Sequence, residues 1–218
     1  MLVLFVGLMA VLMVAILSRD HDITASQETI VTAELHLADT ALASFPDRVH
    51  LTAFPAGEFT YHDRVRAARE GLASEGFADA GSYALDGLPG VRVLLMTHAR
   101  DRMSATVYEH ERAGVWAEVV SRYEDGRRWT HTTLAGDGLE TRAGNTLITV
   151  PGVPLAELLA RARADRPDGR RERVDRNAVA EWFTRDYAAW IAERKGRVVR
   201  GDFAPGHADD DRQLPLAA

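Results

Sequence analysis

The sequence predicts an α+β chain: an N-terminal membrane-anchor helix, then one soluble domain built on a five- or six-stranded antiparallel sheet with helices packed on one face. Three observations carry this. Met1 to Leu17 contain no charged residue. Gly81 to Val150 alternate β-branched and aromatic residues with turn clusters, as an antiparallel meander does. Apolar residues recur at helical spacing after Tyr61, after Pro154 and after Asn177.

The apolar start is at the lower limit for crossing a hydrocarbon core, which takes roughly 17–25 apolar residues. A cleaved signal would carry Lys or Arg ahead of its core and small residues at the cleavage site. Neither is present, since Ile16-Leu17-Ser18-Arg19 is a poor site. Residues 1–18 are therefore read as a signal anchor that holds the chain in the cell membrane by a single pass. Arg19 is the only basic residue on the flank, so the positive-inside rule does not fix which side the domain occupies.

Composition narrows the function classes. The 218 residues carry 26 basic and 32 acidic side chains, a net charge of −6. A nucleic-acid binder gains affinity by neutralising phosphates, so this balance argues against DNA or RNA as a partner. With no cysteine, a disulfide framework, a thiolate zinc site and a cysteine nucleophile are all excluded. Lys195 is the only lysine; so uniform an arginine bias in an alanine-rich chain is read as the mark of a GC-rich, bacterial genome.

Residues 19–59 hold Pro46, Pro55 and Gly57 and keep no sustained period, giving a linker with one short strand at Val49–Phe54. The domain itself spans residues 60–200. Its first helix places Val65, Ala68, Leu72 and Ala73 on one face and stops near Gly76. The strands are Ser82–Leu85, Val91–His98, Ser104–Glu111, Val115–Glu124, Arg128–Leu134 and Thr146–Val150. Pro154 at the first helical position opens a helix over Leu155–Ala164. The arginine-rich connector Arg161–Arg176 is diluted by Asp165, Asp168, Glu172 and Asp175, which makes it a solvated loop rather than a lipid-binding patch. The last helix, Asn177–Arg194, carries the stripe Val179, Trp182, Phe183, Tyr187, Trp190 and Ile191, and sets Glu181, Asp186 and Glu193 on its polar side. Residues 201–218 are acidic, proline-containing and aperiodic, which reads as a disordered tail.

Two turns set the expected register. Asp125-Gly126 suits a type I′ turn, which would pair Glu124 with Arg127, Arg122 with Trp129, Val120 with His131 and Glu118 with Thr133. Arg112-Ala113-Gly114 suits a three-residue hairpin pairing Glu111 with Val115 and Tyr108 with Glu118. One face then presents Ala105, Val107, Ala117, Val119, Ser121, Tyr123 and Leu134 to the helices. The other presents Tyr108, His110, Trp116, Glu118, Arg122, Trp129 and His131, an aromatic surface with convergent polar groups and hence the candidate ligand-binding site.

Within that face, Glu118 and His131 are the candidate acid–base pair of an enzyme, with the remaining residues positioning a substrate. No nucleophile elbow, phosphate-binding glycine loop, dinucleotide fingerprint or H-E-x-x-H accompanies them, so no cofactor is expected. Nor is a metal: His110 and His131 would stand about 13 Å by 10 Å apart at standard strand spacings, too far to converge on zinc, and the turn after His98 leaves its face undefined. The leading expectation is a membrane-tethered, non-enzymatic binding or assembly module of the cell envelope, contacting an envelope protein or a small ligand. The alternative is a membrane-anchored enzyme using Glu118 and His131 on an open sheet.

Overall fold

The computed structural model describes residues 44–134 and 144–200. The expected anchor 1–18, the tail 201–218 and most of the linker lie outside the described residues. Among the described residues no helix is long and apolar enough to cross a membrane.

The domain is α+β. Its sheet has seven strands, β1 (His50–Ala53), β2 (Ala78–Asp86), β3 (Val91–His98), β4 (Met103–His110), β5 (Gly114–Arg122), β6 (Arg128–Thr132) and β7 (Asn145–Thr149), each beside its sequence neighbour. The pairs from β1 to β6 are antiparallel, whereas β7 lies parallel to β6. The extra strand relative to five or six is β1. The parallel step departs from a simple meander, and the about a dozen residues between Thr132 and Asn145 are long enough for the crossover it requires.

Residues 44–59 contribute more than a connection. Phe45, Val49 and Phe59 are buried in the core, and Pro55 leads into a short 3-10 turn, Ala56–Glu58. Helix α1 (His62–Ser74) follows. The two residues leading into it are met by the buried Glu109 carboxylate, which accepts the backbone N–H groups of Thr60 at 3.0 Å and of the N-cap Tyr61 at 2.5 Å and pairs with Arg92 at 2.9 Å. A carboxylate here answers both the orphan donors and the positive end of the helix dipole. The helix ends as its sequence anticipates. Gly76, at φ 92°, lets its own N–H reach Ala73 O and the N–H of Phe77 reach Leu72 O, a Schellman ending with Phe77 packed in the same core cluster as Leu72.

Helix α2 (Leu155–Ala164) has Pro154 as its N-cap, one position before the expected one, and buries Leu158, Leu159 and Ala162. Arg163 bonds Glu75 at 2.6 Å and Asp101 at 3.1 Å, tying α2 to the end of α1 and to the β3–β4 turn. Helix α3 (Val179–Arg200) is the longest and runs past the expected end at Arg194; Val179, Phe183, Tyr187, Trp190 and Ile191 of its stripe are buried and Trp182 is half-buried.

The helices occupy both faces of the sheet, which corrects the one-face arrangement. Leu94, Met96, Ala105, Val107, Ala117 and Val119 pack with Val65 and Leu72 of α1 and Leu158 and Leu159 of α2. The alternate residues Val93, Leu95, Tyr108 and Trp116 pack with Phe183, Tyr187, Trp190 and Ile191 of α3. The physical reason lies in β3, β4 and β5, which are buried nearly continuously along their length rather than at every second residue. In β3, Val93 and Leu95 face one side and Leu94 and Met96 the other, and a strand apolar on both sides has to be covered on both.

Candidate functional site

The face that would have been open is the face under α3. On it Tyr108 and Trp116 stand directly opposite across β4 and β5, with ring centroids 5.0 Å apart and planes within 4°, and Phe183 of α3 closes over Tyr108 at 6.3 Å. The Tyr108 hydroxyl donates to Glu118 Oε2 at 3.0 Å. Glu118 is 1% exposed. Burial pushes its carboxyl up to about 7, against the opposing pull of the Tyr108 hydrogen bond. Burial, followed by the charge of Glu118, holds the Tyr108 hydroxyl well above its ordinary value. The strand neighbours directly beside Glu118 are Thr106 and Thr132, both buried.

Further along this face Arg122 and Arg128 are cross-strand partners, a like-charge pair that would repel. Asp186 of α3 answers both. Its carboxylate pairs with Arg122 Nη2 and takes a 2.5 Å contact from Arg128 Nη2, and the Trp182 ring lies 5.4 Å from the Arg122 guanidinium carbon. Arg122 and Asp186 are 5% and 4% exposed, so this ion group belongs to the interior. Arg122 Nε is buried with no hydrogen-bond partner among the described residues.

Trp129 and His131 are not on this face. The β5–β6 register pairs Arg122 with Arg128, Ser121 with Trp129, Val119 with His131 and Glu118 with Thr132, one residue away from the type I′ expectation. The turn explains the slip. Gly126 is at φ 85° while Asp125 keeps a negative φ, so the loop is three residues long and closes through Tyr123 N–H to Arg127 O and Gly126 N–H to Tyr123 O. A type I turn with a left-handed glycine at its end uses the same Asp-Gly as the two-residue alternative. Because strand side chains alternate, one residue of offset moves every β6 side chain to the other side. Leu134 accordingly joins the core under α3 rather than the opposite one.

The β4–β5 hairpin also differs, pairing His110 with Gly114, Tyr108 with Trp116 and Glu109 with Val115. That shift is of two residues, so the faces stay as expected. Tyr108, His110, Trp116, Glu118 and Arg122 share a side. His110 caps its own turn, its Nδ1 accepting from Arg112 and Ala113 N–H at 3.2 and 3.3 Å, and burial lowers its imidazole below the usual range.

His131 lies on the α2 side, 1% exposed, with Nε2 3.2 Å from Asp165 Oδ2 at the end of α2. Burial lowers its pKa, and Asp165 opposes that shift. His98 sits on this side as well, edge-on to Phe77 at 5.0 Å, with Nδ1 accepting from Asp101 N–H at 2.9 Å. The sheet thus separates His110 from His98 and His131, and Glu118 from His131. Among the described residues no cluster of three His, Asp or Glu is arranged to hold a metal.

The partners that sequence reasoning missed are Asp186, Trp182 and Asp165. Asp186 had a readable signal. It stands three residues after Phe183 and one before Tyr187, on the apolar stripe rather than the polar side, and a charge on a buried stripe demands a buried counter-charge. Asp165 ends α2 two elements away from His131, and nothing local announces the contact.

An accessible concavity among the described residues lies elsewhere, between β1 and α3. This groove of about 620 Å³ is lined by Arg48, Val49 and Leu51 on the β1 side and by Ala180, Thr184 and Arg185 on the helix, among others. Comparison with protein-family models, with curated proteins and with solved structures finds no match to the chain.

Proposed function

We propose that this chain is a membrane-tethered, non-enzymatic binding or assembly module of the bacterial cell envelope. The observation that carries this reading is the engagement of its reactive groups with one another: Glu118 with Tyr108, Arg122 and Arg128 with Asp186, and His131 with Asp165. An acid–base pair works only where its two groups converge on one accessible space. Here Glu118 and His131 are buried on opposite sides of a sheet. A binding role needs only surface, and the edge of the sheet offers it. Phe54 donates its N–H to Ser82 O, so by antiparallel alternation Leu51 and Ala53 turn their backbone groups away from β2, where an added strand would pair. The uncharged Met1–Leu17 segment supplies the tether.

The test is a photo-crosslinking residue at Ala53 in the full-length chain, read in native membranes beside a chain lacking residues 1–18. The expected result is a carbonate-resistant membrane protein carrying a discrete crosslinked partner that Leu51→Pro abolishes while the far-UV spectrum is kept. A full-length chain extracted by carbonate overturns the tether, and the absence of any crosslinked species overturns the binding role of this edge.

A further inference from the structure

The groove between β1 and α3 is basic where it is open. Arg48 and Arg185 are exposed on its two walls, and neither has a carboxylate partner among the described residues. His50 adds a third basic group at the rim, and Glu181 is the acidic one. The floor is apolar and small-chained, with Val49 and Leu51 on one side and Ala180 and Ala188 on the other. An occupant that matches this surface is extended, acidic and flanked by a few aliphatic residues.

The chain carries such a segment just beyond α3. Residues 201–218 read GDFAPGHADDDRQLPLAA, with Asp209, Asp210 and Asp211 in a row and Leu214 and Leu216 after them. The reach is sufficient. From Arg185 to the end of α3 at Arg200 the helix advances about 22 Å at 1.5 Å per residue. From Arg200 back to Asp209 an extended chain covers about 30 Å at 3.3 Å per residue. The three aspartates can therefore return along α3 to the level of Arg185, with Leu214 and Leu216 following over the apolar floor.

We propose that the acidic C-terminal tail of this chain, residues 201–218, docks in cis into the groove between β1 and α3, with Asp209–Asp211 paired to Arg48 and Arg185. The tail then covers the surface beside the free edge of β1 and competes with any acidic peptide directed there. The contact needs neither the membrane tether nor a partner protein, so it stands or falls independently of the function proposed above. Since its charges meet at the surface, it weakens as salt rises.

The native chain has no cysteine, which makes two-site labelling clean. Full-length protein in detergent, with Ala53→Cys and Gln213→Cys spin-labelled, is measured by pulsed dipolar spectroscopy. Cis docking gives one narrow short-distance peak, broadened by Arg48→Glu with Arg185→Glu and by high salt, and restored when Asp209–Asp211 are changed to lysine in the charge-reversed background. Both arginines are exposed, and an unchanged thermal unfolding curve shows that the reversals leave the fold in place. A broad distribution that neither salt nor charge reversal changes overturns the proposal. So does a narrow peak that survives both, because recognition would then not be ionic. A peak between two singly labelled chains mixed together assigns the occupant to a second copy and overturns cis docking.

Discussion

Asp186 of α3 and Arg122 of β5 form an ion pair inside the layer between helix and sheet, each about 95% buried. Its geometry does two jobs. It neutralises one of two arginines that face each other across β5 and β6, and it anchors the side of α3 that points away from β1. Beside it on the same sheet-facing side of the helix the hydrophobic stripe seals Tyr108 and Trp116. Helix α3 is thus held on the sheet by apolar area and tied to β5 by one buried charge pair.

Removing that carboxylate leaves the buried Arg122 charge without its partner, next to the half-buried Arg128. Asp186→Ala is expected to destabilise the domain by about 3–5 kcal/mol, the usual cost of breaking a buried pair from one side. Replacing Arg122 and Asp186 together by Met and Leu is expected to cost far less, because no lone buried charge remains at Arg122. Urea unfolding of the three proteins checks this; a loss under about 1 kcal/mol for Asp186→Ala shows that water already reaches the pair.

Glu118 sets a pH dependence with a definite sign. Its folded carboxyl is raised to about 7 from an ordinary 4.5, so the native state holds its proton more tightly than the unfolded chain. Stability from this group is fully present below about 4.5 and is lost progressively as pH rises to about 7, at about 1.4 kcal/mol per unit and roughly 3 kcal/mol in all. Glu118→Gln keeps the shape and removes the titration. Denaturant midpoints between pH 5 and 8 are expected to fall more steeply for the native sequence than for this variant. Parallel curves would mean that Glu118 titrates at its ordinary value.

Two glycines with similar backbone angles separate strain from crowding. Gly76 is at φ 92° and a Cβ there would lie 2.8 Å from the His98 ring nitrogen, whereas Gly126 is at φ 85° with nothing within 4 Å. Gly126→Ala is expected to cost about 1–2 kcal/mol, the left-handed penalty alone. Gly76→Ala adds displacement of a packed imidazole and is expected to lower the melting temperature further. Equal losses in calorimetry would show that His98 moves aside freely.

Much of the scaffold was legible because local signals are redundant. The strand Val91–His98 and the helix Leu155–Ala164 fall where the pattern of branched, aromatic and proline residues places them, and Gly76 ends α1 through its backbone alone. The candidate site was less legible. Its five members on β4 and β5 share a face because an error of two residues leaves side chains on the same side. Its two members on β6, Trp129 and His131, were assigned to the wrong face by an error of one. The Asp125-Gly126 pair serves either turn, and the choice is made by which side chains find a core.

What neighbours along the chain fix was readable without coordinates: which stretches extend, which coil into helices, where Gly76 and Pro154 bound α1 and α2, and that a charge-free segment precedes a chain free of cysteine; the last helix, by contrast, runs to Arg200 rather than Arg194. Only the tertiary structure decided that α3 crosses to the far face, that Asp186 meets Arg122, and that Glu118 and His131 are divided by the sheet. These depend on the burial of two apolar faces at once and on a single-residue register, quantities fixed by the whole core and carried by no local motif.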